Sequence, residues 1–462
     1  MNLLQRVSVI GALLGLLTAQ AATPGGEAGL KNWSQWRGPL ATGVAPHANP
    51  PLKWSETENV KWKVATPGFG TSTPIIWENK IFIVTAIPTG QKVEAKTPPP
   101  APQENPPPQG QRQRRPGGGG GAPRGEQPTE AYRFTILCLD RATGKTLWQK
   151  VAREEVPHEG HHQDHGFASS SPITDGQALI SSFGSRGLYC HDLDGNLKWE
   201  KDFGDMRTRN GFGEGASPAL HGNTVVLPWD HEGEDFVVAL DKNSGKELWR
   251  VNRDEPTGWS TPLIVEYGGK TQVILNATGK VRSYDLATGK QIWEIGGQTV
   301  NAIPTPVTDG ETVYVTSGFR GSALYAIKLG KTGDLAGTDA VRWSHNRATP
   351  YVPSPLLVDN LIYFVQENRG RLSIWDTKEG KALVDAEQLQ GINGIYASPV
   401  AAGDRVYVLG REGTCVVLKK GPTLEVLASN RIDDRTDASI ALVGNELFIR
   451  GHKALYSIAE KR

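Results

Sequence analysis

The chain has 462 residues, with 50 Lys plus Arg against 49 Asp plus Glu and a formal net charge of +1. That balance excludes a general nucleic-acid binder, which carries a basic surplus. Hydrophobic residues make up 38% and glycines number 54, a composition that fits a turn-rich globular protein rather than a membrane-embedded one.

The first predicted element is an export signal over residues 1–21. Arg6 supplies a positive start, Val7 to Leu17 is almost continuously apolar, and Ala19-Gln20-Ala21 fits a small-x-small cleavage site. The apolar run is about half what a membrane-crossing helix needs. A periplasmic or secreted protein without a membrane span is therefore expected, cut near Ala21. Residues 22–58 read as an N-terminal segment, and 59–462 as a repeat domain.

Repetition dominates the rest. "STPIIWENKIFIVTA", from Ser72, recurs as "SSPITDGQALISSF", "ASPALHGNTVVLPW" and "STPLIVEYGGKTQVIL". It continues as "PTPVTDGETVYVTSG", "PSPLLVDNLIYFVQ" and "ASPVAAGDRVYVLG", then in a worn "ASIALVGNELFIRG". The starts centre on Pro74, Pro172, Pro218, Pro262, Pro306, Pro355, Pro399 and Ile440. Each start predicts a short strand, a turn and an alternating apolar strand. A second half follows, as in "LCLDRATGKTLWQK" ending near Trp148, with counterparts at Trp199, Trp249, Trp293 and, more loosely, Trp343. Its D-x-x-T/S-G-K element is a tight turn, and the Trp is suited to filling a gap between neighbours. A four-stranded unit repeated every ~40–50 residues cannot bury both faces alone, so it packs radially as an all-β propeller. Eight blades are expected. The orphan strand "NVKWKVA" (Asn59 to Ala65) completes the last one and removes the free edge.

Residues 87–130 interrupt blade 1 with Pro- and Gly-rich sequence that cannot pack a core, including Arg112, Arg114 and Arg115. Cys138, Cys190 and Cys415 each lie in an apolar segment and are expected to be small buried hydrophobes rather than disulfide partners.

The D-x-x-T-G-K-x-x-W units, the S-P-aliphatic starts and the opening "WSQWRGPLATG" (Trp33 to Gly43) resemble the bacterial PQQ-binding-like β-propeller repeat family. That family includes exported proteins similar to the propeller lipoprotein of outer-membrane assembly, and its fold is shared with quinoprotein alcohol dehydrogenases. The resemblance implies the fold and leaves two functions open, a binding scaffold or a PQQ-dependent oxidoreductase with calcium. A quinoprotein dehydrogenase of this kind is expected to carry a vicinal cysteine pair, Glu and Asn ligands for calcium and an aspartate base. The chain has no Cys-Cys, though acids and amides such as Glu214, Asn210, Asp230 and Asn301 are present. No catalytic residue is assigned and no cofactor is expected; a non-enzymatic, monomeric binding scaffold is the reading adopted.

With strands A to D running outward in each blade, alternation puts B–C turns and D–A connections on one face. Turns at Arg186, Lys280, Arg320, Arg369, Arg411 and Lys453 carry a cation, while blade 3 offers Trp229, Asp230 and His231. The connections add Arg207, Arg209, Asn210, Trp259, Arg347 and Tyr351. A ring of cations around this mouth is expected to attract an anionic small ligand or a protein partner. A third reading is metal-dependent activity at "HEGHHQDH", where His158, His161, His162 and His165 could converge with Asp164.

Overall fold

Each repeat copy folds as its alternation requires. In the computed structural model, which describes residues 23–92, 127–366 and 369–460, eight antiparallel blades form a ring, the arrangement of an eight-bladed β-propeller. The export signal with its cut near Ala21, and Arg112, Arg114 and Arg115, lie outside the described residues. Each inner strand begins directly after a repeat start, from Ile75–Trp77 in blade 1 to Ala441–Val443 in blade 8. Val60–Ala65 pairs antiparallel with Ala454–Ala459 and supplies the outer strand of blade 8, so the first and last strands of the propeller close the ring.

The turn and the Trp of the repeat work as one joint. Asp241 Oδ1 accepts hydrogen bonds from the Ser244 backbone N–H at 2.9 Å and its hydroxyl at 2.7 Å. Gly245, at φ +67°, completes this turn, and a Cβ there would stand 2.7 Å from the Trp199 ring of the preceding blade. Trp199 Nε1 donates to the Lys242 carbonyl of the same turn at 2.7 Å. The same bond links Trp148 to Leu193, Trp249 to Leu286 and Trp343 to Thr377. At the closure Trp62 donates to the Arg141 carbonyl at 3.0 Å. Trp293 departs from the rule and bonds Gln272 in its own blade. Blade 5 has a longer C–D connection there, and its Gly333–Asp334 adds a fifth, parallel strand to the outer edge of blade 4.

Two margins differ from the sequence reading. The central hairpin of blade 1 continues through Ile87–Arg133, Pro88–Tyr132 and Lys92–Glu130, so both described ends of the 87–130 interruption belong to the sheet. Tyr132 packs edge-on to Phe167 at 5.0 Å, giving this extension an apolar anchor. The N-terminal segment enters the ring as well. Trp33 exchanges backbone bonds with Ile76 in blade 1, and Thr174 N donates to the Ser34 carbonyl in blade 2. Leu357 N donates to the Thr42 carbonyl, and Val44 bridges Ala401, in blades 6 and 7. Residues 33–44 thus cross the channel from one side to the other. All three cysteines are buried and free on third strands, as expected.

Candidate functional site

Because the N-terminal segment crosses the channel, the mouth on the B–C/D–A face is a cup with a floor. Its cavity is about 390 Å³, with Trp36 among its lining residues, within the range of small-ligand sites. The opening motif "WSQWRGPLATG" thereby gains a structural reason. Trp33 is fully buried, Trp36 lines the cup, and Arg37 Nη2 donates to the carbonyls of Pro355 and Pro399 at 2.9 and 3.0 Å. Gly43, at φ +91°, lets the backbone run against that guanidinium, since a Cβ would stand 2.4 Å from Arg37 Nη2.

The wall is built from the residue that precedes each repeat's Pro. The backbone N–H of Thr73 donates to the Ser171 hydroxyl at 2.9 Å, and Ser171 N–H to Ser217 at 2.9 Å. The links continue from Ser217 to Thr261, Thr305, Ser354, Ser398 and Ser439. This collar of hydroxyls joins blade to blade around the channel. Its last link, at the closure between blades 8 and 1, is replaced by Arg450, which bonds the Ser72 hydroxyl and carbonyl. Thr73, Ser171, Ser217 and Ser439 line the cup.

Aromatic rings line the cup above the collar. Trp259 donates from Nε1 to the Gly213 carbonyl at 2.7 Å, and Phe319 stacks on Tyr351 at 4.8 Å. Phe212 and Tyr396 complete the aromatic lining. One loop straps across the mouth. Asp164, between blades 1 and 2, accepts from Arg411 in a turn of blade 7 at 2.8 Å and from Arg435, between blades 7 and 8, at 2.6 Å. Arg411 also meets Asp437 at 2.6 Å and lies over the Tyr396 ring at 3.8 Å, while Asp437 faces His452 at 2.8 Å. These contacts put D–A connections and B–C turns together on one face.

The cations do not form a free ring. Arg186 is buried against Glu155 at 2.8 Å and Asp205 at 3.2 Å, Lys280 pairs with Glu294, and Arg411 is held as described. Long Arg and Lys side chains at hairpin tips meet carboxylates from adjacent loops. Arg320, Arg369 and Arg209 remain exposed with no ion pair among the described residues. Arg320, at φ +53°, sits over Phe319. Blade 3's trio also turns away from the cup. Trp229 is a core residue stacked on Phe236, and Asp230 is buried in an ion pair with Arg253 at 2.7 Å. His231 accepts from the Arg207 backbone N–H. Asn210 lies exposed beside Arg209 in a short turn at positive φ, outside the cup lining. Of the face residues expected, Trp259 and Tyr351 reach the cup.

The four histidines separate, which corrects the expected convergence. His158 Nδ1 meets the Arg186 guanidinium, which can only donate, so Nε2–H donates to the Met206 carbonyl at 2.5 Å. His161 packs edge-on to Phe167, whereas His162 and His165 line the cup. Burial, with the neighbouring His161, pushes His165 down to about 4, so it stands neutral there. Asp164 lies 3.9 Å from His162 Nδ1 and closer to the two arginines. Among the described residues the only close set of ligand-type atoms is His158, Glu159 and Glu214. Both nitrogens of that His158 are already hydrogen-bonded, and burial raises both glutamates toward the protonated form.

A calcium–quinone pair does not fit these residues. The cup lining contains no Glu or Asn, and its two carboxylates, Asp164 and Asp437, are engaged by Arg411 and Arg435. The three cysteines are buried within sheets. Glu214, Asp230 and Asn301, the other acids and amides noted in the sequence, are likewise outside the lining.

The residues that sequence reading missed are Trp36, Phe212, Phe319, Tyr396, Asp437 and the collar. The collar alone had a signal, the Ser or Thr repeated before Pro. The others come from connections of irregular length, where no periodicity marks an inward-facing side chain.

The chain matches the family described as outer membrane protein assembly factor BamB, over residues 133–385 and 233–457. It is 22% identical over 298 residues to the protein of that name from Shewanella oneidensis, covering 61% of this chain. It is 21% identical to its namesake from Yersinia pestis, covering 60%. The matches span 66% and 65% of those relatives' own length, just under two thirds. A shorter match, 23% identical over 28% of this chain and 23% of the relative, is to methanol dehydrogenase subunit 1 of Methylobacterium organophilum. Among solved structures, a europium-containing methanol dehydrogenase superposes with TM-score 0.61 at 9% identity, over 94% of this chain and 99% of the other. BamB from Moraxella catarrhalis superposes at 0.52 and 13% identity, over 70% and 91%. These structural likenesses show the fold.

Proposed function

The chain belongs to the BamB family of repeat propellers, and from that premise we propose that it is an exported, non-catalytic binding scaffold working through the face that carries the cup. The observation that carries this reading is the cup itself, a cavity of about 390 Å³ with a floor and aromatic lining. Sites of this kind bind through apolar area and use a few placed polar groups for orientation. The curated relatives are named as outer membrane protein assembly factors, which supports a partner in the bacterial envelope. Among the described residues, no helix is long and apolar enough to cross a membrane.

The PQQ-dependent alternative is disfavoured because the lining carries no free carboxylate for calcium. The metal-dependent alternative is disfavoured because the histidines are separated. The test is to fill the cup with Val352→Trp, at a lining position that is only partly buried. Capture of an envelope component by the purified chain should then fall at least ~10-fold, the equivalent of ~1.4 kcal/mol, with thermal midpoint unchanged. Undiminished capture by the folded variant sinks the reading.

A further inference from the structure

The cup's wall assigns a chemical class to its ligand, an inference that rests on the reading of the cup as the ligand site. The collar hydroxyls of Ser171, Ser217 and Ser439 each accept a backbone N–H, and none donates to a protein acceptor among the described residues. Their own protons are therefore available at the lining. Thr73 Oγ1, on a residue 1% exposed, has no partner among the described residues. A wall made of donors suits a ligand made of acceptors.

Charge agrees. Arg37 and Arg450 are each 2% exposed, and among the described residues neither has a carboxylate partner, burial alone acting on their charge. Among the described residues Arg37 bonds only carbonyls, those of Thr42, Pro355 and Pro399, leaving Nε and Nη1 without a partner. Arg450 bonds the Ser72 hydroxyl and the carbonyls of Ser72 and Val84, leaving Nε without one. Both stand next to the collar. Pro355 and Pro399 directly follow Ser354 and Ser398, and Ser72 precedes Thr73. Burial lowers both guanidinium groups to about 9, which still leaves them charged at neutral pH. Carbonyl dipoles satisfy hydrogen bonds but do not neutralise a buried cation. The rim adds no compensating charge, because Asp164 and Asp437 are already paired with Arg411 and Arg435.

We propose that the ligand enters with an oxyanion, a carboxylate or a phosphate, seated at the collar, and that the aromatic lining holds the apolar body that carries it. The hydroxyls of Thr73, Ser171, Ser217 and Ser439 donate to the oxyanion, and Arg37 and Arg450 supply the attraction through a low-dielectric wall. The turn cations are not required.

The full chain is titrated calorimetrically with 2-naphthoate, 2-naphthyl phosphate and the neutral 2-naphthamide. At least one acid should bind ~10-fold or more tightly than the amide, as a hydrogen-bonded charge implies. The stronger acid identifies whether the oxyanion is a carboxylate or a phosphate. Thr73→Val with Ser217→Ala should remove most of that preference for acid over amide. Arg37→Gln should do the same, and if it does not fold the hydroxyl variant still decides. Equal binding of acid and amide overturns the inference while the cup stands as a site. Binding of none of the three overturns both.

Discussion

Asp164 Oδ1 accepts from Arg411 Nη2 at 2.8 Å, joining the connection between blades 1 and 2 to a turn of blade 7, 247 positions away in sequence. The contact straps one loop across the channel mouth, and Arg435 reinforces it. Asp164→Asn keeps the shape and removes the charge. It should cost about 1–2 kcal/mol, the size of a charged hydrogen bond at a partly exposed site. The effect should appear as faster amide exchange confined to residues 156–169. Unchanged protection in that loop would mean the strap is held by other contacts.

The closing strand makes a second prediction. Trp62 is the outer-strand Trp of blade 8 and bonds the turn of blade 1. Its replacement by Ala should lower stability by roughly 2–4 kcal/mol, as for a large aromatic at a packed boundary. Urea denaturation should also show the transition broadening as the ring loses its clasp. The same change at Trp343 should cost less cooperativity, because that joint lies between blades continuous in sequence.

Gly245→Ala tests the coupling of turn and Trp. The positive φ alone costs about 1 kcal/mol, and the new methyl must displace the Trp199 ring from 2.7 Å. Loss of more than ~1.5 kcal/mol, with a shift in tryptophan emission, is expected. A neutral outcome would show that the turn and the ring are independent.

Acid sensitivity follows from His191, which is 4% exposed on the third strand of blade 2, its Nδ1 lacking a partner among the described residues. Burial first, and Lys150 second, push it down to about 4. The folded state keeps this histidine neutral, while the unfolded chain protonates it below about 6.5. The unfolded state therefore binds the extra proton between pH 6.5 and 4, and stability falls as pH falls through that window, by up to about 3 kcal/mol. His191→Phe should flatten that part of the pH–stability curve. A slope unchanged by the substitution would assign the effect elsewhere.

Chelation gives a fifth expectation. Because both nitrogens of His158 are hydrogen-bonded, treatment with EDTA should leave the thermal midpoint within error, and added Zn²⁺ should not raise it. A rise of several degrees with Zn²⁺ would return the histidine loop to consideration.

The fold was legible because its information is periodic. Pro74 and its seven counterparts recur at blade spacing, and the Trp62 strand announces itself by completing a count. The site carries a periodic signal only in the Ser or Thr before each Pro, while Trp259 and Tyr351 were reached by strand alternation, which puts their connections on this face. Arg186, Lys280 and Arg411 share a turn position, but their carboxylate partners come from loops without a repeat, so the neutralisation of the ring was hidden. "WSQWRGPLATG" was recognisable as a family feature, but its placement across the channel depends on contacts with blades 1, 2, 6 and 7. Those pairings are made by backbone groups and leave no residue-type signal.

The central claim is that the cup is where this propeller binds, and site-specific photocrosslinking tests it most directly. A photoreactive phenylalanine analogue is placed at Phe212 in the lining or at Leu197, 53% exposed on the outer rim of blade 2. Each full-length variant is then irradiated with envelope extract. Discrete adducts from position 212 that Val352→Trp abolishes are expected, and none from 197. Equal adducts at both positions, or adducts at 212 that survive the filled cup, would contradict it.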